Sequence, residues 1–118
     1  MTAVLLISLG AFPGAILRYA LVRIAGPRPF PWAILAANAL GSFVIGLLLA
    51  GADRQVYLLA GVGFCGALTT FSTFAIDTLE LAEAGRPRSA ALNVVASVVV
   101  CVVAVVAGLL AGHAGGLG

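Results

Sequence analysis

The sequence predicts an all-α integral membrane protein: one domain, 1–118, of four transmembrane helices, the third broken near its middle. Three observations carry this. Of 118 residues, 63% are hydrophobic and 8% charged, where an ordinary soluble domain is about 25% charged. Charge-free runs cover 29–52, 55–76 and 89–112, each longer than the roughly 20 residues a spanning helix needs. A fourth run, 2–17, pauses at Arg18 and resumes to Val22. Four such spans at about 20 residues each leave no room for an extramembrane domain, so the function belongs inside the bilayer.

Helix one is expected over about 3–25, because the N-terminal run lacks a basic n-region and a polar cleavage zone and continues into further apolar sequence. Gly10 and Gly14, at i and i+4, permit close helix approach. Arg18 either snorkels to a headgroup or points into a polar interior. The proline-dense stretch from Gly26 to Trp32 reads as a loop, with Trp32 where an interfacial aromatic would sit. Helix two follows, about 30–51. Its Asn38, Gly41, Ser42 and Gly46 form one small and polar stripe, which either bonds across helices or lines a polar path. The turn 51–55 is short enough to make helices two and three antiparallel neighbours.

Helix three, about 56–84, holds the densest signal, GVGFCGALTTFSTF from Gly61 to Phe74. Gly61, Gly63 and Gly66 weaken the helix, and Thr69, Thr70, Ser72 and Thr73 crowd hydroxyls into membrane depth. If the backbone opens near Gly66 to Thr69, its freed carbonyls need a partner. That partner is either a cation held by backbone oxygens or hydroxyls bonding back to the chain. Phe71 and Phe74, at i and i+3, share a face, which by spacing alone means core packing. After Asp77 the helix turns amphipathic with Glu80 and Glu83. Helix four, about 89–111, is rich in valine and sets Asn93, Ser97 and Cys101 four apart on one face. Cys65 and Cys101 lie inside apolar runs and read as small buried hydrophobes, not as a disulfide framework. His113 reads as a solvated tail residue.

An enzyme is not expected: there is one histidine, the cysteines are isolated, and the acids stand at or beyond helix ends. Nucleic acid is not expected either, since six arginines and four acids are scattered singly and make no basic stripe. A proton-coupled cation or multidrug antiporter needs a carboxylate at membrane depth, and helices one, two and four carry none. What remains is a lining of hydroxyls, amides and aromatic edges. Such a lining suits a small anion, because hydroxyls and amides can replace its water while a ring edge carries partial positive charge. Weak, multiple contacts favour conduction over trapping.

The sequence resembles the Fluc, or CrcB, family of fluoride channels in GAILRY (Gly14 to Tyr19), NALGSFVIG (Asn38 to Gly46) and GFCGALTTFSTF (Gly63 to Phe74), a likeness that covers all four helices. The resemblance implies a passive fluoride channel of the cell membrane that lets the toxic anion leave the cytoplasm, built as an antiparallel dimer with two pores. It implies that Phe71 and Phe74 form an aromatic box beside the ion path, against the packing role their spacing suggests. It further implies Asn38 as the polar pore residue of helix two, Ser72, Thr73 and Ser97 in a hydroxyl track, and Arg18 at a vestibule. A structural sodium ion, not transported, would sit at the dimer centre on backbone carbonyls of Gly66 and Thr69. Three positions depart from the family pattern: Asn93 where a tyrosine is common, Cys101 where a small or hydroxylated residue is usual, and Asp77 in place of a glutamate.

An even helix count puts both termini on one side and loops one and three on the other. Those loops carry Arg23, Arg28, Arg86 and Arg88, against Arg54 on the terminal side, so the positive-inside rule predicts outside termini. A chain with one preferred orientation is expected to pair with a sister chain of opposite bias rather than only with itself. A small proton-coupled cation or multidrug antiporter, with Asp77 at the end of helix three as its one candidate carboxylate, and a non-conducting membrane assembly subunit are the remaining alternatives.

Overall fold

A computed structural model describes residues 2–26 and 30–115, with the side chain of Ser72 outside the description. Arg28, counted above for topology, falls outside the described residues. The helices are α1 (Thr2–Ala25), α2 (Trp32–Leu49), α3 (Arg54–Val56), a π-helical segment (Tyr57–Cys65), α4 (Gly66–Leu68), α5 (Phe71–Glu83) and α6 (Pro87–Ala114). Four stretches are long and apolar enough to cross a membrane: Thr2–Ala25, Trp32–Leu49, Arg54–Glu83 and Pro87–Ala114. The molecule measures 46 × 30 × 22 Å, its long axis matching a bilayer of about 40–45 Å with headgroups.

The helix ends follow local chemistry. Asp53 caps α3 by accepting from the Val56 amide at 2.9 Å. Gly85, at φ +79°, ends α5: its amide donates to the Ala82 carbonyl and that of Arg86 to the Leu81 carbonyl, the paired bonds of a Schellman motif. Pro87 opens α6, where a missing N–H costs nothing. The rings of Phe30 and Trp32 meet at a tilt, centroids 4.8 Å apart and planes inclined at 53°, where the chain enters α2.

Two helix pairs make the scaffold. α1 lies against the π-helical segment and α4, and α2 lies against α6. Both contacts are backbone to backbone. A Cβ added at Gly46 would run into the Val105 carbonyl, and one added at Gly108 into the Phe43 carbonyl, so α2 and α6 cross through reciprocal glycines. Gly10 likewise faces the Leu59 carbonyl and Gly14 that of Phe64. In a bilayer, where lipid removes the hydrophobic drive between helices, such close approach supplies the packing energy. After α4 the chain changes partner, and α5 packs on α6.

The π-helical segment has no counterpart in the expectation from sequence. Its residues Gly61 and Gly63 are buried with Cys65, and a wider helical turn with no side chains at the contact lets α1 come close. The small-polar stripe on α2 also divides by role. Gly41 faces the Thr69 methyl and Gly46 faces α6, while Asn38 and Ser42 turn to the cavity described next.

Candidate functional site

Between α4 and α5 the backbone leaves the helical region for two residues. Thr69 has φ −81° and ψ 152°, and Thr70 φ −151° and ψ 124°. Three sets of hydrogen bonds hold this stretch. The Thr69 amide and hydroxyl both donate to the Cys65 carbonyl, each at 2.9 Å. The Thr70 amide donates to Asn38 Oδ1 at 2.8 Å, and Asn38 Nδ2 donates to the Thr70 carbonyl at 3.4 Å. Asn38 therefore meets one residue's main chain at two points, as a neighbouring β-strand would. Thr70 then serves as N-cap of α5: its side chain accepts from the Thr73 amide at 3.3 Å and donates to Thr73 Oγ1 at 3.3 Å.

These bonds redirect amides. In a continuous helix the Thr70 amide would be the i+4 donor to the Gly66 carbonyl, and the Thr73 amide the donor to the Thr69 carbonyl. Here the first goes to Asn38 and the second to the Thr70 hydroxyl. Gly66 is exposed, with open space where a Cβ would stand. The carbonyl oxygens of Gly66 and Thr69 are hard donors of the type that suits a small monovalent cation.

Beside the extended residues lies a cavity of about 400 Å³. From α2 it takes Asn38, Ser42 and Ile45; from the connection, Thr69 and Thr70; from α5, Phe71 and Phe74; from α6, Ser97, Val98 and Cys101. The Phe71 and Phe74 rings are 5.9 Å apart and inclined at 45°, within the range of a tilted aromatic pair. Phe74 is half-buried, whereas Phe71 is 79% exposed on the single chain. Under the cavity a hydrogen-bonded row joins α6 to α5: Ser97 to Asn93, Asn93 to Thr78, and Thr78 to the Phe74 carbonyl. Asn93 and Ser97 are buried, at 1% and 7% exposed.

Of the residues singled out from sequence, Asn38, Thr69, Phe71, Phe74 and Ser97 thus border one cavity. Thr73 borders a second, of about 580 Å³, with Phe30, Trp32, Asp77, Glu80 and Arg86. Arg18, half-buried on α1, borders neither of the two, and the side chain of Ser72 lies outside the described part. From sequence Thr70 stood only as one of four crowded hydroxyls, with no role of its own, and Thr78 was not singled out. Thr70 carried a readable signal, a threonine three residues before a hydroxyl at a helix start. Thr78 carried none, since its value comes from what α6 brings to it.

Helical spans meeting by bare glycine backbone, beside an open and largely apolar cavity into which a carboxamide, hydroxyls and aromatic rings project, define a polytopic membrane protein with a candidate site on the flank of its bundle. The chain matches the family described as CrcB-like protein, Camphor Resistance (CrcB), over residues 5–109. It belongs to the CrcB family. A relative from Geobacter sulfurreducens, named fluoride-specific ion channel FluC, is 42% identical and covers 94% of this chain and 97% of its own length. A relative of the same name from Methanocaldococcus jannaschii is 44% identical over 86% of each chain. Fluoride-specific ion channel FluC 1 of Streptomyces avermitilis is 45% identical over 80% of this chain and 82% of its own.

Proposed function

We propose that this chain is a passive, fluoride-selective ion channel of the cell membrane, not an enzyme, and that it exports fluoride from the cytoplasm down its electrochemical gradient. The carrying observation is the cavity where Asn38, Ser97, Phe71 and Phe74 meet beside the extended residues of the third span; relatives bearing the fluoride-channel name support it. Fluoride is small and strongly hydrated, so a pore must return donors for the water it strips. The Asn38 amide and the Ser97 hydroxyl, which border the cavity, are those donors in this reading, and Thr73, at the second cavity, extends the hydroxyl track. The ring edges of Phe71 and Phe74 offer partial positive charge without a full countercharge, which keeps the ion moving. Arg18 stands at a vestibule and attracts anions to it.

In this reading the third span is interrupted inside the bilayer at Thr69 and Thr70, and a second chain completes the wall. Phe71, mostly exposed on one chain, then faces an antiparallel partner, either a copy of itself or a sister chain of opposite orientation. The arginine distribution, which puts the termini outside, favours the sister chain. The carbonyls of Gly66 and Thr69, with their i+4 amides drawn elsewhere, hold a structural sodium ion at the dimer centre. That ion would tie two chains together without being transported.

Purified chain in liposomes, with a potassium ionophore to relieve voltage, tests the reading by fluoride efflux with chloride as control. Rapid fluoride release without chloride release is the expected result. Silence both alone and with the sister chain would overturn the channel and leave an assembly subunit.

A further inference from the structure

The row beneath Phe74 has a fixed direction, and the direction follows from counting protons. Thr78 Oγ1 has one proton and lies 2.8 Å from the Phe74 carbonyl, which can only accept, so that proton is committed. Thr78 Oγ1 must then accept from Asn93, and Asn93 Nδ2 donates to it at 2.9 Å. With its nitrogen turned to Thr78, Asn93 turns Oδ1 to Ser97, so Ser97 can only donate. The separation there is 3.5 Å, the outer edge of a hydrogen bond. The Thr78 and Asn93 links are short, and the Ser97 link is loose.

We infer that Asn93 and Thr78 are positioning residues of the ion path, setting the Phe74 turn and parking the Ser97 proton where an anion in the cavity can draw it away. The inference rests on the channel reading above. Ser97 borders the cavity and Asn93 and Thr78 do not, so the pair acts through Ser97 and Phe74. An anion entering beside Ser97 competes with a weak acceptor for one proton, while Asn93, held by Thr78, keeps its orientation. Ser97 is thereby ready to donate without reorganising its surroundings. A hydroxyl held tightly at 2.8 Å would instead have to break a strong bond at each passage.

The test sets Thr78→Val, which keeps the shape and deletes the hydroxyl, against Thr78→Ser, which shrinks the side chain and keeps it. Thr78→Val is expected to slow fluoride efflux about tenfold, the worth of one well-made hydrogen bond, and Thr78→Ser to run near the unmodified rate. A packing role gives the opposite order, because the smaller serine leaves the gap. Asn93→Leu is expected to match Thr78→Val, and the double variant to be no slower than either single one, since both cut one row. Solid-state NMR of ring-labelled Phe74 supplies a readout independent of conduction: its signals move in Thr78→Val and stay in Thr78→Ser. Equal efflux and equal ring signals in the two Thr78 variants overturn the inference and leave the channel standing. An unmodified chain that passes no fluoride with or without the sister chain overturns the channel reading itself.

Discussion

The two halves of the third span are held by different physics. Up to Leu68 the chain is fixed by close backbone contact: Gly10, Gly14 and Gly63 let α1 and the π-helical segment meet without side chains between them. From Thr69 onward it is fixed by directed hydrogen bonds, first Asn38 on the Thr70 backbone and then Asn93 on Thr78. Contact of the first type tolerates no added atom but is indifferent to polarity. The second tolerates small changes of volume but none of donor or acceptor. The scaffold and the candidate ion path therefore fail in different ways, and substitutions can tell them apart.

The largest effect falls on the scaffold. A Cβ at Gly63 would stand 2.5 Å from the Ile7 carbonyl and 3.1 Å from Gly10 Cα, and backbone cannot move aside as a flexible side chain does. Gly63→Leu is expected to abolish a monodisperse folded species in detergent, read by size-exclusion chromatography; a normal profile would refute the close-contact account. Next comes Asn38→Ala. It removes both cross-helix bonds to Thr70, costing about 2 kcal/mol, and lets the extended residues drift from the cavity. A lowered thermal midpoint together with lost efflux is expected. Lost efflux at an unchanged midpoint would mean that Asn38 serves the ion alone and not the backbone.

Sequence reading reached the scaffold further than the site. Four spans were legible because the charge-free runs at 29–52, 55–76 and 89–112, with the run 2–17 that resumes after Arg18, admit no other medium. The glycines in those runs announced weak helix and close approach, but not that Tyr57–Cys65 would wind as a π-helix, because glycine has no side-chain period to read. Around the cavity, periodicity placed Ser97 and Cys101 on one face, and both border it. It could not separate Gly46, which meets α6, from Asn38, which meets Thr70, although both belong to one stripe. That division is decided by the neighbouring elements. The role of Thr78 was invisible for the same reason.

Within the path, Phe74→Leu preserves apolar bulk and removes the polarised ring edge. The fold should survive with an unchanged melting midpoint, while fluoride efflux falls about tenfold, the order expected when about 1.4 kcal/mol of favourable contact is lost. An equal fall in midpoint would assign Phe74 to the scaffold instead.

The smallest effect is expected at Cys101, which borders the cavity one helical turn beyond Ser97. A thiol is a weak donor where serine is a strong one of similar size, so Cys101→Ser adds a donor to the wall without disturbing either helix contact. Because conduction needs many weak contacts, one more donor on this largely apolar wall should raise efflux by no more than about twofold. The melting midpoint should stay put, since Cys101 touches none of the glycine crossings that hold α2 to α6. A large loss of efflux would mean that the added hydroxyl holds the ion too long, and the path would then be limited by release rather than entry. A fall in stability would place Cys101 in the scaffold and move the boundary between the two regions one turn deeper into α6.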